Sequence, residues 1–423
     1  MECLDTKTYP VFKMKPVLVA ILLLFSTPVF AQNKNLDYYL NTGVANSPLL
    51  KDYQNQVSSN FIDSQRLRAG YRPQVSGSSS NTFAPVINGW GYDQILTNLG
   101  AYTTMVNVNQ TFIGKNNLNT QYNALRLLSD SVRNAQKMSE QDLKRSITAQ
   151  YITAYGDQEQ LNFNIYVNGI LRKEEAILKN LTQNNVYRQT DYLTFLVTLK
   201  QQELQLKQLR IQLQIDFATL NYLCGIFDTS ATALDTPEIA LQHLPDAASS
   251  VFFQRYKRDS INLENNIAIL NYSYRPKLSA FANAGYSTSF LYQAQKDFGF
   301  SLGVNLAVPI YDGHLKKLQT QKFKLIENTG ANYKDFFTRQ YDQQIAMLNQ
   351  QLAATGSLIN DIDEQMTYAD GLIKVNEKLL ETGDARIADF VIAINNYLNA
   401  KNLLTQNKIS SMQIINQINY WNR

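Results

Sequence analysis

The stretch YRPQVSGSSS begins at Tyr71, and YRPKLSAFAN begins at Tyr274, 203 positions later. At the same offset Ser47 falls on Ser250, Leu49 on Phe252, Leu50 on Phe253 and Tyr53 on Tyr256. Further on, TFIGKNNL at Thr111 answers PIYDGHLK at Pro309, which sets Gly114 on Gly313 at an offset of 199. Asp191 then answers Asp389 at 198. An ordered series of matches whose offset drifts by only five residues marks one unit of about 200 residues present twice, too long a period for a solenoid.

Each unit reads the same way. Ser47-Pro48 is a good cap and first-turn pair for a helix running towards Arg68. Tyr-Arg-Pro stops that helix, because proline disfavours helix in the residue before it. Alternation follows, as QVSGSSSNTF and KLSAFANAGYSTSF, with Leu278, Ala280, Ala282 and Ala284 on one face and Ser279, Phe281 and Asn283 on the other. Period two means strand. Turn-rich linkers lead to second strands, MVNVNQTF and FGFSLGVNLAVPIY. After Gly114 and Gly313 the period becomes helical for about 70 residues, or about 105 Å at 1.5 Å per residue. Gly156, Gly169, Gly330, Gly356 and Gly371 are candidate positions for a bend or break. A turn and a return helix close each unit. Leu193, Leu196, Val197, Leu204 and Leu209 carry three- and four-residue spacing in the first, and Ile387, Phe390, Val391, Ile394 and Leu398 in the second. The segment LQLKQLRIQLQI also alternates, but its length and lack of turn residues decide for helix.

The expected organisation is a signal peptide over 1–31, a first repeat over 32–224, a linker over 225–248 and a second repeat over 249–423. Strands are expected at about 72–83, 103–112, 277–289 and 298–311, and helices at about 115–184, 190–223, 314–382 and 387–420. The leader rests on VLVAILLLFSTPVFA, preceded by Lys13 and Lys15 and ending with Val29 and Ala31 at the −3 and −1 positions of a cleavage site. Met14 alone could start a complete signal. The apolar core falls short of the roughly 20 residues a spanning helix needs, which disfavours an anchor. The residue directly after Ala31 is Gln32 rather than cysteine, so no lipid-modified terminus is expected. The remaining chain keeps only Cys224 and cannot form an internal disulfide. Removing the leader's three lysines and two acids lowers the net charge from +4 to +3, so no attraction to nucleic acid is implied. A near-neutral, exported, disulfide-free chain suits a bacterial envelope.

No segment after the leader reads as a membrane-spanning helix. A chain that crosses lipid must then do so as a closed barrel, because open edges leave backbone groups unsatisfied. Four strands cannot close around a lumen, since small barrels need about eight. Either several chains share one barrel, three giving twelve strands, or the strands form a soluble antiparallel sheet capping a helical bundle. The strands alone leave these two level. Helices rich in Gln and Asn with narrow apolar seams, as in QQELQLKQLRIQLQ and NNYLNAKNLLTQNK, suit coiled-coil contacts beside water. An ordinary soluble coiled coil has the same periodicity.

The doubled order of these motifs, with YRPKLSAFANAGYS, FGFSLGVNLAVPIYDG and ETGDARIADFVIAINNYLNAKN, resembles the TolC-type outer-membrane efflux proteins over essentially the whole chain from about Leu36. The resemblance implies a mainly α fold with a transmembrane β-barrel contribution: two repeats, each of two strands and a long coiled-coil hairpin. It implies a homotrimer with one twelve-stranded barrel in outer-membrane lipid, continued by an α-helical tunnel across the periplasm. The implied partners are a periplasmic adaptor and an inner-membrane transporter of RND or ABC type. The implied function is a passive exit duct for efflux or type I secretion.

The family's tip motif is a glycine followed six residues on by an aspartate. Gly383 and Asp389 match it in the second unit, and Asn185 and Asp191 in the first, where Asn tolerates the left-handed turn better than most residues. Both aspartates fall near helix starts, where a carboxylate is favoured, so capping is the plain role for Asp191. The resemblance implies that Asp389 forms an acidic ring at a closed entrance. A second ring one turn on would need an acid where Ile392 stands. The family's latching arginine position holds Ala385, with Arg386 next to it, so Arg386 is the candidate latch.

An enzyme is not expected. His243 and His314 are isolated, no glycine-rich phosphate loop occurs, and no metal or cofactor is anticipated. Sparse Met and His argue against a copper relay. The rival to the duct is a soluble periplasmic coiled-coil scaffold or adaptor, which would lack barrel strands. The exported substrate is not encoded in these features.

Overall fold

The computed structural model describes residues 34–92, 100–242, 250–289, 296–384 and 386–421. The leader at 1–31, His243 and Ala385 lie outside the described residues. The first unit runs α1 (Leu36–Asn46), α2 (Pro48–Gly70), β1 (Gln74–Phe83), β2 (Gly100–Phe112), α3 (Lys115–Gln183) and α4 (Gln189–Leu223). The second runs α5 (Val251–Ser273), β3 (Lys277–Thr288), β4 (Phe298–Ala307), α6 (Leu315–Thr382) and α7 (Ile387–Trp421). Helix α5 starts and ends 203 residues after α2, and α7 starts and ends 198 after α4, so these two helix pairs reproduce the sequence offsets.

Local chemistry explains the boundaries. The Ser47 hydroxyl accepts from Leu50 N at the start of α2, with Pro48 in the first turn, and Ser250 accepts from Phe252 N at the start of α5. Tyr71 and Tyr274 end these helices just before Arg-Pro. Pairing in β1 begins at Gln74, past Pro73, and β4 ends at Ala307, before Pro309; a proline cannot donate to a ladder. Both strands are therefore shorter than the alternation suggests.

Helices α3 and α6, of 69 and 68 residues, are unbroken. None of the five candidate glycines interrupts them. Gly156 serves packing instead: a Cβ there would lie 2.8 Å from Cγ1 of Ile409 on α7. At about 1.5 Å per residue each helix is roughly 100 Å long. Helix α3 packs against α4, α2, α5, α7 and α1, whereas α6 packs mainly on α7 and meets α5 near its start.

The four strands form one antiparallel sheet in the order β1-β2-β3-β4. The two units meet at its centre, where β2 pairs with β3 and Val108 faces Ala282. Beyond the sheet, the chain leaving α4 is laced onto the helices by side-chain amides. Gln158 on α3 donates to Leu234 O and accepts from Leu234 N, and Asn419 on α7 does the same for Ala240 O and Gln242 N. Tyr39, Tyr151, Phe217 and Cys224 form a buried cluster beside this belt, and the Cys224 thiol donates to Tyr39 O.

Candidate functional site

The sheet has two chemically distinct faces. Register places Val106 and Val108 beside Ala284 and Ala282, which lie beside Phe300 and Leu302. Val304 and Leu306 continue this face on β4, and both are exposed on the single chain. Small alanines alternate with large neighbours towards β4, while towards β1 the same face turns polar, where the Ser79 and Thr104 hydroxyls hydrogen-bond at 2.9 Å. One end of it carries an aromatic row, Tyr102, Tyr286 and Phe298, the last two rings meeting edge-on at 5.3 Å. The opposite face is polar. Asn107 donates to Ser78 Oγ at 2.9 Å, and Ser301 donates to Asn283 Oδ1 at 2.6 Å. On this face Phe281 lies over Gly303, where a Cβ would come within 2.6 Å of the ring. Within one chain the outer edges of β1 and β4 have no neighbouring strand among the described residues. A sheet with one oily face, one wet face and two open edges fits a wall segment shared among copies. No helix among the described residues is long and apolar enough to cross a membrane.

At the far end of the helices the two turns are built alike. After α3, Asn185 adopts φ 60°, Asn185 N donates to Thr182 O and Val186 N to Leu181 O. After α6, Gly383 adopts φ 81°, Gly383 N donates to Leu380 O and Asp384 N to Leu379 O. Both patterns are the paired bonds of a Schellman turn, which needs one left-handed residue. The turns touch: a Cβ on Gly383 would lie 2.9 Å from Cγ1 of Val186. Beneath them a buried core joins all four helices through Leu171, Leu178, Phe195, Ile373, Leu380 and Phe390, with the rings of Phe195 and Phe390 stacked at 6.4 Å.

Asp191 and Asp389 each occupy the first turn of the returning helix. Arg188 holds the cap position of α4 without a side-chain cap bond, so Asp191 stands inside the first turn rather than at the cap. Asp389 and Arg386 are exposed, and Asp191 is half-buried. Among the described residues none of the three forms an ion pair.

Sequence reasoning missed a buried acidic group just above the tip. Glu174 on α3 is fully buried, and neither carboxylate oxygen accepts a hydrogen bond; Lys173 Nζ stands 3.5 Å away and also lies 3.7 Å from Glu381 on α6. Burial pushes the Glu174 carboxyl up, and Glu377 and Glu381 add to the effect while Lys173 opposes it. Nearby, Tyr192 donates to Glu175 at 2.6 Å and Arg172 pairs with Glu203 at 2.9 Å. The available signal was Arg172-Lys173-Glu174-Glu175, a charge run in a charge-poor helix. A second acidic pair lies higher up. Burial, then Asp216 on α4, pushes Asp157 up to about 7, while Gln150 and Gln212 donate to Asp216. Among the described residues no cluster of His, Cys, Asp and Glu could hold a metal ion.

No protein-family model and no curated protein sequence matches the chain. Solved structures do. The chain is similar to the transmembrane channel protein CusC, with a TM-score of 0.74 at 11% identity over 92% of both chains. It is similar to the outer membrane protein VceC of Vibrio cholerae, with a TM-score of 0.72 at 14% identity over 92% of this chain and 96% of that one. It is also similar to the MtrE outer membrane channel of Neisseria gonorrhoeae in its open state, with a TM-score of 0.72 at 9% identity over 91% and 88%. At these identities the likeness is one of fold, and the fold is that of the TolC-type outer-membrane channels.

Proposed function

We propose that this chain is one subunit of an outer-membrane channel-tunnel, a passive exit duct rather than an enzyme. The observation that carries the reading is the four-stranded sheet: its apolar face and two open edges fit a lipid-facing wall completed by other copies, and helices of about 100 Å lead away from it. Three chains close twelve strands, and the doubled unit gives the tunnel a pseudo-sixfold wall. A soluble scaffold would expose the large residues of β4 to water without cause. The expected location is the outer membrane with a periplasmic tunnel. The tip, built from two Schellman turns, is where a periplasmic adaptor and an energised inner-membrane transporter of RND or ABC type would dock.

At that tip, Asp389 is proposed to set cation preference and help hold the entrance shut. Three symmetry-related carboxylates in a narrow pore attract cations and repel one another. Arg386, one turn before, is the proposed latch, reaching a carbonyl or carboxylate of a neighbouring copy. Asp191 supports the first-unit turn. The subunit count of the detergent-extracted particle, by native mass spectrometry, tests the duct: three copies are expected, and a detergent-free monomer or dimer would refute it. Planar-bilayer conductance tests the gate. Asp389→Ala is expected to lower cation over anion selectivity and raise conductance, and unchanged selectivity would remove Asp389 from that role.

A further inference from the structure

The two units diverge sharply at one place. The first ten residues of α3 read KNNLNTQYNA, and those of α6 read LKKLQTQKFK, 200 positions later. Leu118, Thr120 and Gln121 recur as Leu318, Thr320 and Gln321. Asn116, Asn117, Tyr122 and Ala124 have become Lys316, Lys317, Lys322 and Lys324. The fold does not require four lysines there, since the first unit builds the same junction with Lys115 alone. The scaffold itself is kept: Tyr71 hydrogen-bonds Gln121 in the first unit, and the equivalent Tyr274 and Gln321 line a common pocket in the second.

That pocket is open and about 560 Å³ in volume. It lies where β4 passes into α6 and is lined by Tyr274, Tyr311, Lys316, Lys317 and Lys324. Lys316 Nζ sits 5.5 Å from the centre of the Tyr274 ring. None of the three lysines pairs with a carboxylate among the described residues. Asp312 also lines the pocket, but its oxygens accept from His314 N at 2.9 Å and Lys316 N at 2.8 Å, so its charge is engaged by the turn. The site therefore keeps an excess of positive charge.

Position selects the ligand. Leu306 on β4 and Leu278 on β3 close the apolar face at the helix-ward end of the sheet. Immediately below, Ile310 is 94% and Tyr311 79% exposed, beside the lysines. Large apolar groups next to free ammonium groups match the boundary between acyl chains and headgroups, where lysine stems lie along apolar surface and their charges reach phosphate. We propose that this pocket binds the anionic headgroup of a phospholipid in the periplasmic leaflet and anchors the second unit of each subunit at that depth. The inference rests on the membrane-channel reading above.

The test uses the full particle in nanodiscs made with equal phosphatidylglycerol and phosphatidylcholine, followed by native mass spectrometry of retained lipid. The parent is expected to keep phosphatidylglycerol selectively. The triple variant Lys316→Gln, Lys317→Gln, Lys324→Gln is expected to hold it about 100-fold less tightly, each surface lysine supplying a comparable share. The corresponding Lys→Arg triple variant is expected to keep it. If the Gln variant does not assemble, the exposed single variants Lys317→Gln and Lys324→Gln serve, each with a loss of about fivefold. Equal retention of both lipids by the parent, or unchanged retention in the Gln variants, would overturn the proposal. So would displacement of the lipid by millimolar inorganic phosphate, which would mark a free-anion site, or a change confined to anion conductance, which would place the lysines on the lumen. Failure of the particle to enter nanodiscs would sink the membrane reading itself, and this inference with it.

Discussion

Leu302 and Ser301 are adjacent on β4 and sit on opposite faces of the sheet, which makes them a matched test of its two sides. Leu302 is 75% exposed on the chain, pairs with Ala282 and lies at the middle of the ten-residue strand, which the proposed channel would set at the bilayer midplane. Arginine at a lipid-facing midplane position costs about 2–4 kcal/mol per chain, or about 6–12 kcal/mol in a particle of three. Ser301 points to the wet face and donates to Asn283; Ser301→Arg loses that bond, at about 1 kcal/mol, and leaves the charge in water. If both faces met water, Leu302→Arg would change stability by only about 0.5 kcal/mol. Guanidinium unfolding of the vesicle-inserted particle separates the cases. Leu302→Arg is expected to fail to insert or to unfold at a much lower midpoint, and Ser301→Arg to shift it slightly. Equal shifts, or a larger one for Ser301→Arg, would refute the assignment of faces.

Gly383→Ala places a side chain at φ 81° and a methyl group 2.9 Å from Val186, so it should cost about 1–2 kcal/mol and loosen the tip, read as faster hydrogen exchange in Leu379–Asp384; the same exchange in Asn185→Gly should be unchanged. Gly156→Val should cost about 1–3 kcal/mol in thermal unfolding, because even its Cβ meets Ile409 at 2.8 Å. For Asp157 the folded state holds its proton more tightly than the unfolded chain does, with the carboxyl moved from 3.8 to about 7. Its contribution to stability is therefore full below about pH 4 and lost as pH rises through about 7. Asp157→Asn should flatten the stability profile across that window, and a profile still falling as in the parent would show that other groups set it.

The duplication was legible because matching residues recur in the same order about 200 positions apart, and the capping serines and Tyr-Arg-Pro stops because each acts within a few residues of itself. The period-two stretches likewise specified two faces before any partner was known, since successive side chains in a strand must point oppositely. The tip turns were readable through Gly383 and Asn185, residues suited to a left-handed backbone. Other features depend on residues far apart in the chain. Nothing local says that β2 pairs with β3 across more than 160 positions, or that Gly156 packs on Ile409 rather than bending its helix. The burial of Glu174 near Glu381 follows from how the hairpins of the two units lie against each other, the approach of Asp157 to Asp216 from how α3 and α4 pack within one hairpin, and the lacing of the linker from its path over Gln158 on α3 and Asn419 on α7. The sequence by itself determined the elements, their doubled order and the chemistry of each face, because propensity, capping and periodicity are short-range. Only the tertiary structure decided strand order, the meeting of the two tips and which charges lose their water, because those depend on closing long loops and on packing between surfaces that no single segment contains.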